Sequence, residues 1–159
     1  MKIMDFITMI IKKNYITDKD CDHLIQYYED NLDKTFLYER NKTNPLVIKN
    51  SDNIKIKSIL NKIESDFLQE YNAKLIDNVE IVKWPVSTKM ENHTDHDNDK
   101  FAFILYLNDD YDGGETIIHD VATIKPEKGK LITFTGNKYV HGVNEIKNKD
   151  RYTMIGWCR

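Results

Sequence analysis

Phe101-Ala102-Phe103-Ile104-Leu105-Tyr106-Leu107 runs for seven residues without a charge. A short, aromatic-rich apolar run of this length reads as a buried strand. Upstream, Val79-Glu80-Ile81-Val82-Lys83-Trp84 has strand composition as well. Downstream, further strands are expected at 115–118, 121–124, 130–134, 139–143 and 151–157. The segments between them are turn-forming: Asp112-Gly113-Gly114, Pro126-Glu127-Lys128-Gly129 and Thr135-Gly136-Asn137. Many short strands closely spaced by such turns predict an antiparallel sandwich or jelly roll.

Before residue 75 the texture is helical. Thr17 and Asp20 resemble a capping box, and Cys21, Leu24, Ile25 and Tyr28 then recur along one helical face. A second helix is expected to start after Ser51 or Asp52, with Ile56, Ile59, Leu60, Ile63, Phe67 and Tyr71 at a period near 3.6. The polar stretch 33–50, which contains Pro45, reads as a surface loop. Residues 9–16 are β-branched enough for a strand. There is no internal repeat. The expectation is one α+β domain over 1–159, with a helical part to about residue 73 and a β core over 74–159.

Composition narrows the function. At 159 residues, 40% hydrophobic and 31% charged, the chain is an ordinary globular length and too apolar for a disordered tail. A net charge of −3 gives no field that would draw it to nucleic acid or to anionic lipid. A spanning helix needs roughly 20 apolar residues, and Ile7-Thr8-Met9-Ile10-Ile11 falls far short. Residues 1–14 carry Asp5 and no small-residue cleavage site, so they do not read as a secretory signal. Cys21 and Cys158 form no CxxC pair and read as reduced thiols, which points to a cytoplasmic protein.

Four of the five histidines lie in the β half: His93, His96, His119 and His141. In a strand, His93 and Asp95 of His93-Thr94-Asp95 would face the same side and hold one ion together. His141 from a neighbouring strand completes two imidazoles and a carboxylate. That facial set suits a non-haem Fe(II) oxygenase, because it leaves positions open for a bidentate co-substrate and dioxygen. His96 is expected to face away, His119 to end a strand, and His23 to face solvent from the first helix. Arg151, one of only three arginines, stands with Thr153 on one face of the last strand, where the pair can grip a carboxylate. The series Asn108, Asp110, Asp112, Gly113 imitates a calcium loop, but its twelfth position is His119 and its flanks are strands.

Taken together, the chain resembles the 2-oxoglutarate and Fe(II)-dependent dioxygenases of the prolyl 4-hydroxylase type. The matching segments, in family order, are His93-Thr94-Asp95, Leu105-Tyr106-Leu107-Asn108, Gly113-Gly114-Glu115-Thr116, Pro126-Glu127-Lys128-Gly129, His141-Gly142-Val143 and Arg151 through Trp157. Tyr15 through Ile25 is similar to the entry to that family's first helix. The resemblance implies a double-stranded β-helix (a distorted jelly roll) with N-terminal helices packed on one sheet. It implies His93, Asp95 and His141 as catalytic iron ligands. It also implies a 2-oxoglutarate pocket from Arg151, Tyr106 and Thr153, with Trp157 as an aromatic wall. The cofactors implied are Fe(II), 2-oxoglutarate and O2 as co-substrates, and ascorbate as reductant. The reaction implied is hydroxylation of an unactivated C–H bond, led by a prolyl residue of a peptide or protein, with a free amino acid or small metabolite as the other substrate class.

Three positions depart from the family pattern. Trp84 and Met90 stand where tyrosines are common, and Ala102 stands where a threonine is usual. The first two weaken a peptidyl-proline substrate, and the third removes one hydrogen bond to the co-substrate. Arg40-Asn41-Lys42-Thr43 matches a substrate loop too loosely to be given a role. A zinc hydrolase on the same three ligands and a non-catalytic jelly-roll binding module are the readings from other classes. Metal content separates the first and co-substrate decarboxylation the second.

Overall fold

Helix α1 (Asp18–Glu29) begins where the capping box places it. Thr17 Oγ1 accepts the Asp20 N–H at 3.1 Å, and Asp20 Oδ2 accepts the Thr17 N–H in return. Asn53 caps α2 (Ile54–Tyr71) by accepting the Ile56 N–H at 3.1 Å, and Asn72 ends it in the left-handed region. This computed structural model describes residues 9–75 and 78–159. The part of the signal-peptide reading that falls on residues 1–8 lies outside the described residues.

The described residues form twelve strands, one before α1, one between the helices and ten after α2: β1 (Ile10–Lys12), β2 (Asn44–Val47), β3 (Glu80–Trp84), β4 (Met90–His93), β5 (Phe101–Tyr106), β6 (Asp112–Gly113), β7 (Thr116–Ile118), β8 (Ala122–Ile124), β9 (Leu131–Phe134), β10 (His141–Val143), β11 (Ile146–Lys147) and β12 (Arg151–Cys158). They form a six-stranded sheet in the order β1-β9-β5-β12-β3-β2, a four-stranded sheet β4-β10-β7-β8, and a small ribbon β11-β6. Every pairing is antiparallel. The result is an α+β fold of antiparallel sheets with the helices N-terminal.

The apolar run at 101–107 proves central. β5 lies between β9 and β12, and its alternate residues feed two cores. Phe103 and Leu105 meet the helices through Leu24, Ile63 and Phe67, while Ala102 and Tyr106 join Ile118, Ile124, Ile132 and Phe134 between the sheets. β12 divides in the same way. Met154 and Cys158 face the helices, whereas Arg151, Thr153, Ile155 and Trp157 alternate onto the opposite face.

Two expectations need correction. The stretch 33–50 is not all loop, because β2 forms the edge of the large sheet and pairs Pro45 with Val82 and Leu46 with Ile81. Proline at 45 concealed this strand, since proline is tolerated on an edge that needs no donor outward. The strand expected over 9–16 is confined to β1, and Tyr15 and Ile16 leave it to bury against the helices.

Candidate metal and co-substrate site

His93 is the last residue of β4 and His141 the first of β10, and the antiparallel register sets them directly opposite each other. Their ring centroids are 4.3 Å apart, and Phe134 stands edge-on to His141 at 4.8 Å. Each imidazole is fixed in the same way. Nδ1 of His93 lies 2.9 Å from the Glu91 carbonyl, and Nδ1 of His141 lies 2.9 Å from the Tyr139 carbonyl. A proton on each Nδ1 donates to that carbonyl and leaves the Nε2 lone pairs free for a metal.

Asp95 completes the set from outside a strand, which corrects the expectation that it and His93 share one. The chain leaves β4 after His93, and the Asp95 N–H donates to the Gly136 carbonyl at 2.9 Å. Asp95 Oδ1 lies 3.5 Å from His93 Nε2 and 3.4 Å from His141 Nε2. One ligand atom from each of the three residues falls within 4.8 Å of the others. Gly136 makes this approach possible, because a Cβ there would sit 2.0 Å from Asp95 Oδ2. Burial pushes the Asp95 carboxyl upward, but the two imidazoles outweigh it and hold the group below the usual carboxylate range. The same contact raises His93, against the opposing effect of burial.

Oδ2 of Asp95 is buried without a hydrogen-bond partner, as are Nε and Nη2 of Arg151 and the hydroxyl of Tyr111. A buried polar atom without a partner costs about 1–3 kcal/mol, more when charged. An acceptor at one end of the site and donors at the other therefore mark places that a bound group would fill. Arg151 is 1% exposed, with its guanidinium 4.7 Å from the Trp84 ring and 5.5 Å from the Tyr106 ring. Tyr106 is fully buried, and its hydroxyl lies 2.6 Å from Thr116 Oγ1. Thr153 shares the Arg151 face, and its Oγ1 accepts the Trp84 Nε1–H at 3.3 Å. Gly114 keeps this end open, since a Cβ there would come within 2.7 Å of Tyr111 and 3.2 Å of the Arg151 side chain.

A cavity of about 520 Å³ reaches His93 and Asp95 and is walled by Trp84, Met90 and Trp157. Its rim includes Phe36, Tyr38, Arg40, Asn41 and Thr43, so the segment left without a role in the sequence borders the site. His96 also lines the cavity, His23 is exposed as expected, and His119, expected to end a strand, lies in the exposed turn directly after β7. Tyr111, Thr116 and Glu80 were not found by sequence reasoning. Tyr111, next to the turn at Gly113-Gly114, carried a weak positional signal; Thr116 closed the matching segment Gly113-Gly114-Glu115-Thr116 without being given a role, and Glu80 carried no signal.

The description "2OG-Fe(II) oxygenase superfamily" belongs to a family model that matches residues 79–159, just over half the chain. A 64-residue segment is 36% identical to prolyl 3-hydroxylase 2 of Mus musculus, and that alignment covers 36% of this chain and 9% of the relative. A PKHD-type hydroxylase of Prochlorococcus marinus strain MIT 9301 is 38% identical over 60 residues, 36% of this chain and 27% of the relative. The chain thus spans only a small part of the curated relatives it matches. Among solved structures, the viral collagen prolyl hydroxylase of Paramecium Bursaria Chlorella virus-1 superposes with a TM-score of 0.80 at 19% identity, over 99% of this chain and 98% of that one. A prolyl-4-hydroxylase of Pseudomonas putida gives 0.82 at 17% identity, over 97% and 93%. At these identities the structural likeness establishes a shared fold.

Proposed function

The chain belongs to the 2OG-Fe(II) oxygenase superfamily, and from that premise we propose that it is a non-haem Fe(II) dioxygenase hydroxylating a prolyl residue of a peptide or protein. The observation that carries this reading is the His93–Asp95–His141 cluster together with a buried, unpartnered guanidinium, Arg151, stacked on Trp84, which lines the same cavity as His93 and Asp95. The donor set fits Fe(II), and the Arg151 donors fit the distal carboxylate of 2-oxoglutarate. A zinc hydrolase has no use for a buried cation waiting for a dicarboxylate. When bound, Fe(II) with 2-oxoglutarate and O2 supplies the oxidising power for C–H hydroxylation, with succinate and CO2 as the other products.

In this reading the protein's own groups bind, orient and shield. His93, Asp95 and His141 hold the metal, and the two backbone carbonyls keep both imidazoles in the coordinating tautomer. Arg151, Tyr106 and Thr153 bind the co-substrate, and Tyr111 adds a hydroxyl at the Arg151 end. Trp157 and Trp84 wall the reacting end from bulk water. The two larger sheets are taken as the halves of a double-stranded β-helix, within one catalytic domain over 1–159. Ascorbate serves as reductant. Two free, buried cysteines, with thiols raised to about 12 by burial, support a reducing, cytoplasmic setting. Among the described residues, no helix is long and apolar enough to cross a membrane.

The names of the relatives lead the choice of substrate, and the half-exposed Phe36 and Tyr38 on the cavity rim suit a chain rather than a free amino acid. The test is to incubate Fe(II)-loaded protein with 2-oxoglutarate and prolyl peptides, then measure succinate and peptide mass together. One oxygen gained per succinate above the peptide-free background supports the reading. Succinate formed at the same rate with and without every peptide, and no peptide oxidised, rejects the peptidyl substrate.

A further inference from the structure

Glu80 is a carboxyl that this function leaves unused. It lies on β3, where Glu80, Val82 and Trp84 alternate onto the cavity face while Ile81 turns to the helices. It is 9% exposed, and no hydrogen bond or ion pair to its side chain is found among the described residues. Burial alone pushes it up to about 7, with no cation close enough to oppose the shift. The other charged or titratable groups lining the cavity are Tyr38, Arg40, His93, Asp95, His96 and Asp99. Asp99 is already paired with Arg159, and the two metal-binding residues are occupied with each other. A carboxylate placed in a largely apolar, aromatic-walled cavity without a counter-ion is an unfilled cation site.

We propose that Glu80 selects substrates carrying an ammonium or guanidinium group, namely peptides with a lysine or arginine one or two residues from the hydroxylated position. The proposal rests on the peptidyl reading above and adds its specificity. The sheet register gives the span. Glu80 pairs with Ile155, which pairs with Ile104 on β5, so Glu80 stands two strands away from β5. Asp95 sits over Gly136, beside Ala102 on that same β5 strand. Two strand spacings of about 4.8 Å, together with the two residues of about 3.4 Å each that separate Ile104 from Ala102 along β5, put Glu80 about 12 Å from the metal end. A free amino acid carries its ammonium only two or three bonds of about 1.5 Å from its side-chain carbons and cannot reach both places. A basic side chain one or two residues along a peptide, at about 3.8 Å per residue plus its own stem, can.

The test uses Mn(II)- and 2-oxoglutarate-loaded protein under anaerobic conditions, with two peptide libraries randomised around a central proline or a central alanine. Bound peptides are compared with input for wild type and for Glu80→Gln, which keeps shape and removes the charge. A lost charge-assisted contact corresponds to about 10- to 100-fold in affinity. Wild type is therefore expected to enrich lysine and arginine at least tenfold over norleucine at a flanking position, and the variant to lose that preference. Equal enrichment by wild type and variant, or no basic preference in wild type, overturns the proposal. Basic enrichment around alanine as strongly as around proline, with no prolyl peptide oxidised when the Fe(II)-loaded protein is assayed in air, sinks the prolyl reading and leaves Glu80's role standing. Prolyl hydroxylation without basic preference does the reverse.

Discussion

The Glu80 carboxyl makes a stability prediction that needs no substrate. In the folded chain it titrates near 7, against an ordinary value of 4.5, because burial disfavours its charged form. The sign follows from proton binding. The native state keeps this proton to higher pH than the unfolded chain, so stability falls as pH rises through that interval. Below about pH 4.5 both states are protonated and there is no penalty. Above pH 7 both are ionised and the full penalty applies, about 3 kcal/mol at 1.36 kcal/mol per pH unit. Glu80→Gln is neutral throughout. Urea unfolding of both proteins, metal-free, from pH 4.5 to 8.5 gives the difference curve, in which the titrations of His93, Asp95 and other groups common to both cancel. The variant should match wild type at the acid end and become more stable by about 3 kcal/mol at pH 8. Parallel curves would refute the placement of an ionisable, unpartnered carboxyl in the cavity.

Other outcomes follow from single contacts. Arg151→Met keeps length and removes the donors, so the 2-oxoglutarate concentration for half-maximal decarboxylation should rise about 10- to 100-fold; unchanged dependence on the co-substrate would remove Arg151 from its role. Gly136→Ala places a methyl 2.0 Å from Asp95 Oδ2, and Mn(II) affinity by titration should fall about 10- to 100-fold, while native affinity would mean that the carboxylate does not lie against Gly136. Phe103→Ala empties a fully buried site beside Phe67, 5.9 Å away between ring centroids. Urea unfolding should then show a loss of about 3–5 kcal/mol, and a loss below about 1 kcal/mol would contradict its place between sheet and helices.

The sequence made different parts of this molecule legible for different physical reasons. Both helices were readable because their apolar stripes and the α1 capping box are local, although Asn53 rather than Ser51 or Asp52 caps α2, and β5 because its aromatic run is short and dense. The edge strand β2 was not, since Pro45 and polar neighbours mask pairing that only β3 supplies. Among the residues of the cluster, His93, Asp95 and His141 were found as a motif, yet Asp95's position came from Gly136, forty-one residues on, and not from strand alternation. Arg151 stood out as a rare residue, whereas Tyr111 and Thr116 are ordinary types that gain meaning only when burial sets them beside Arg151 and Tyr106. Glu80 read as a residue of a strand, and which strand face lines a cavity is decided by the sheet as a whole. The Arg40-Asn41-Lys42-Thr43 segment reaches the rim through the β2–β3 pairing, a long-range contact that no local pattern encodes.

The central claim is that His93, Asp95 and His141 hold Fe(II) while Arg151 anchors 2-oxoglutarate beside it. The most direct measurement is an anaerobic titration of the metal-free protein with Fe(II) and then 2-oxoglutarate, following the visible metal-to-ligand charge-transfer band. The account predicts a band that appears only when both are present and is absent in His93→Ala. No band from folded, Fe(II)-loaded wild-type protein, or an undiminished band in His93→Ala, would contradict it.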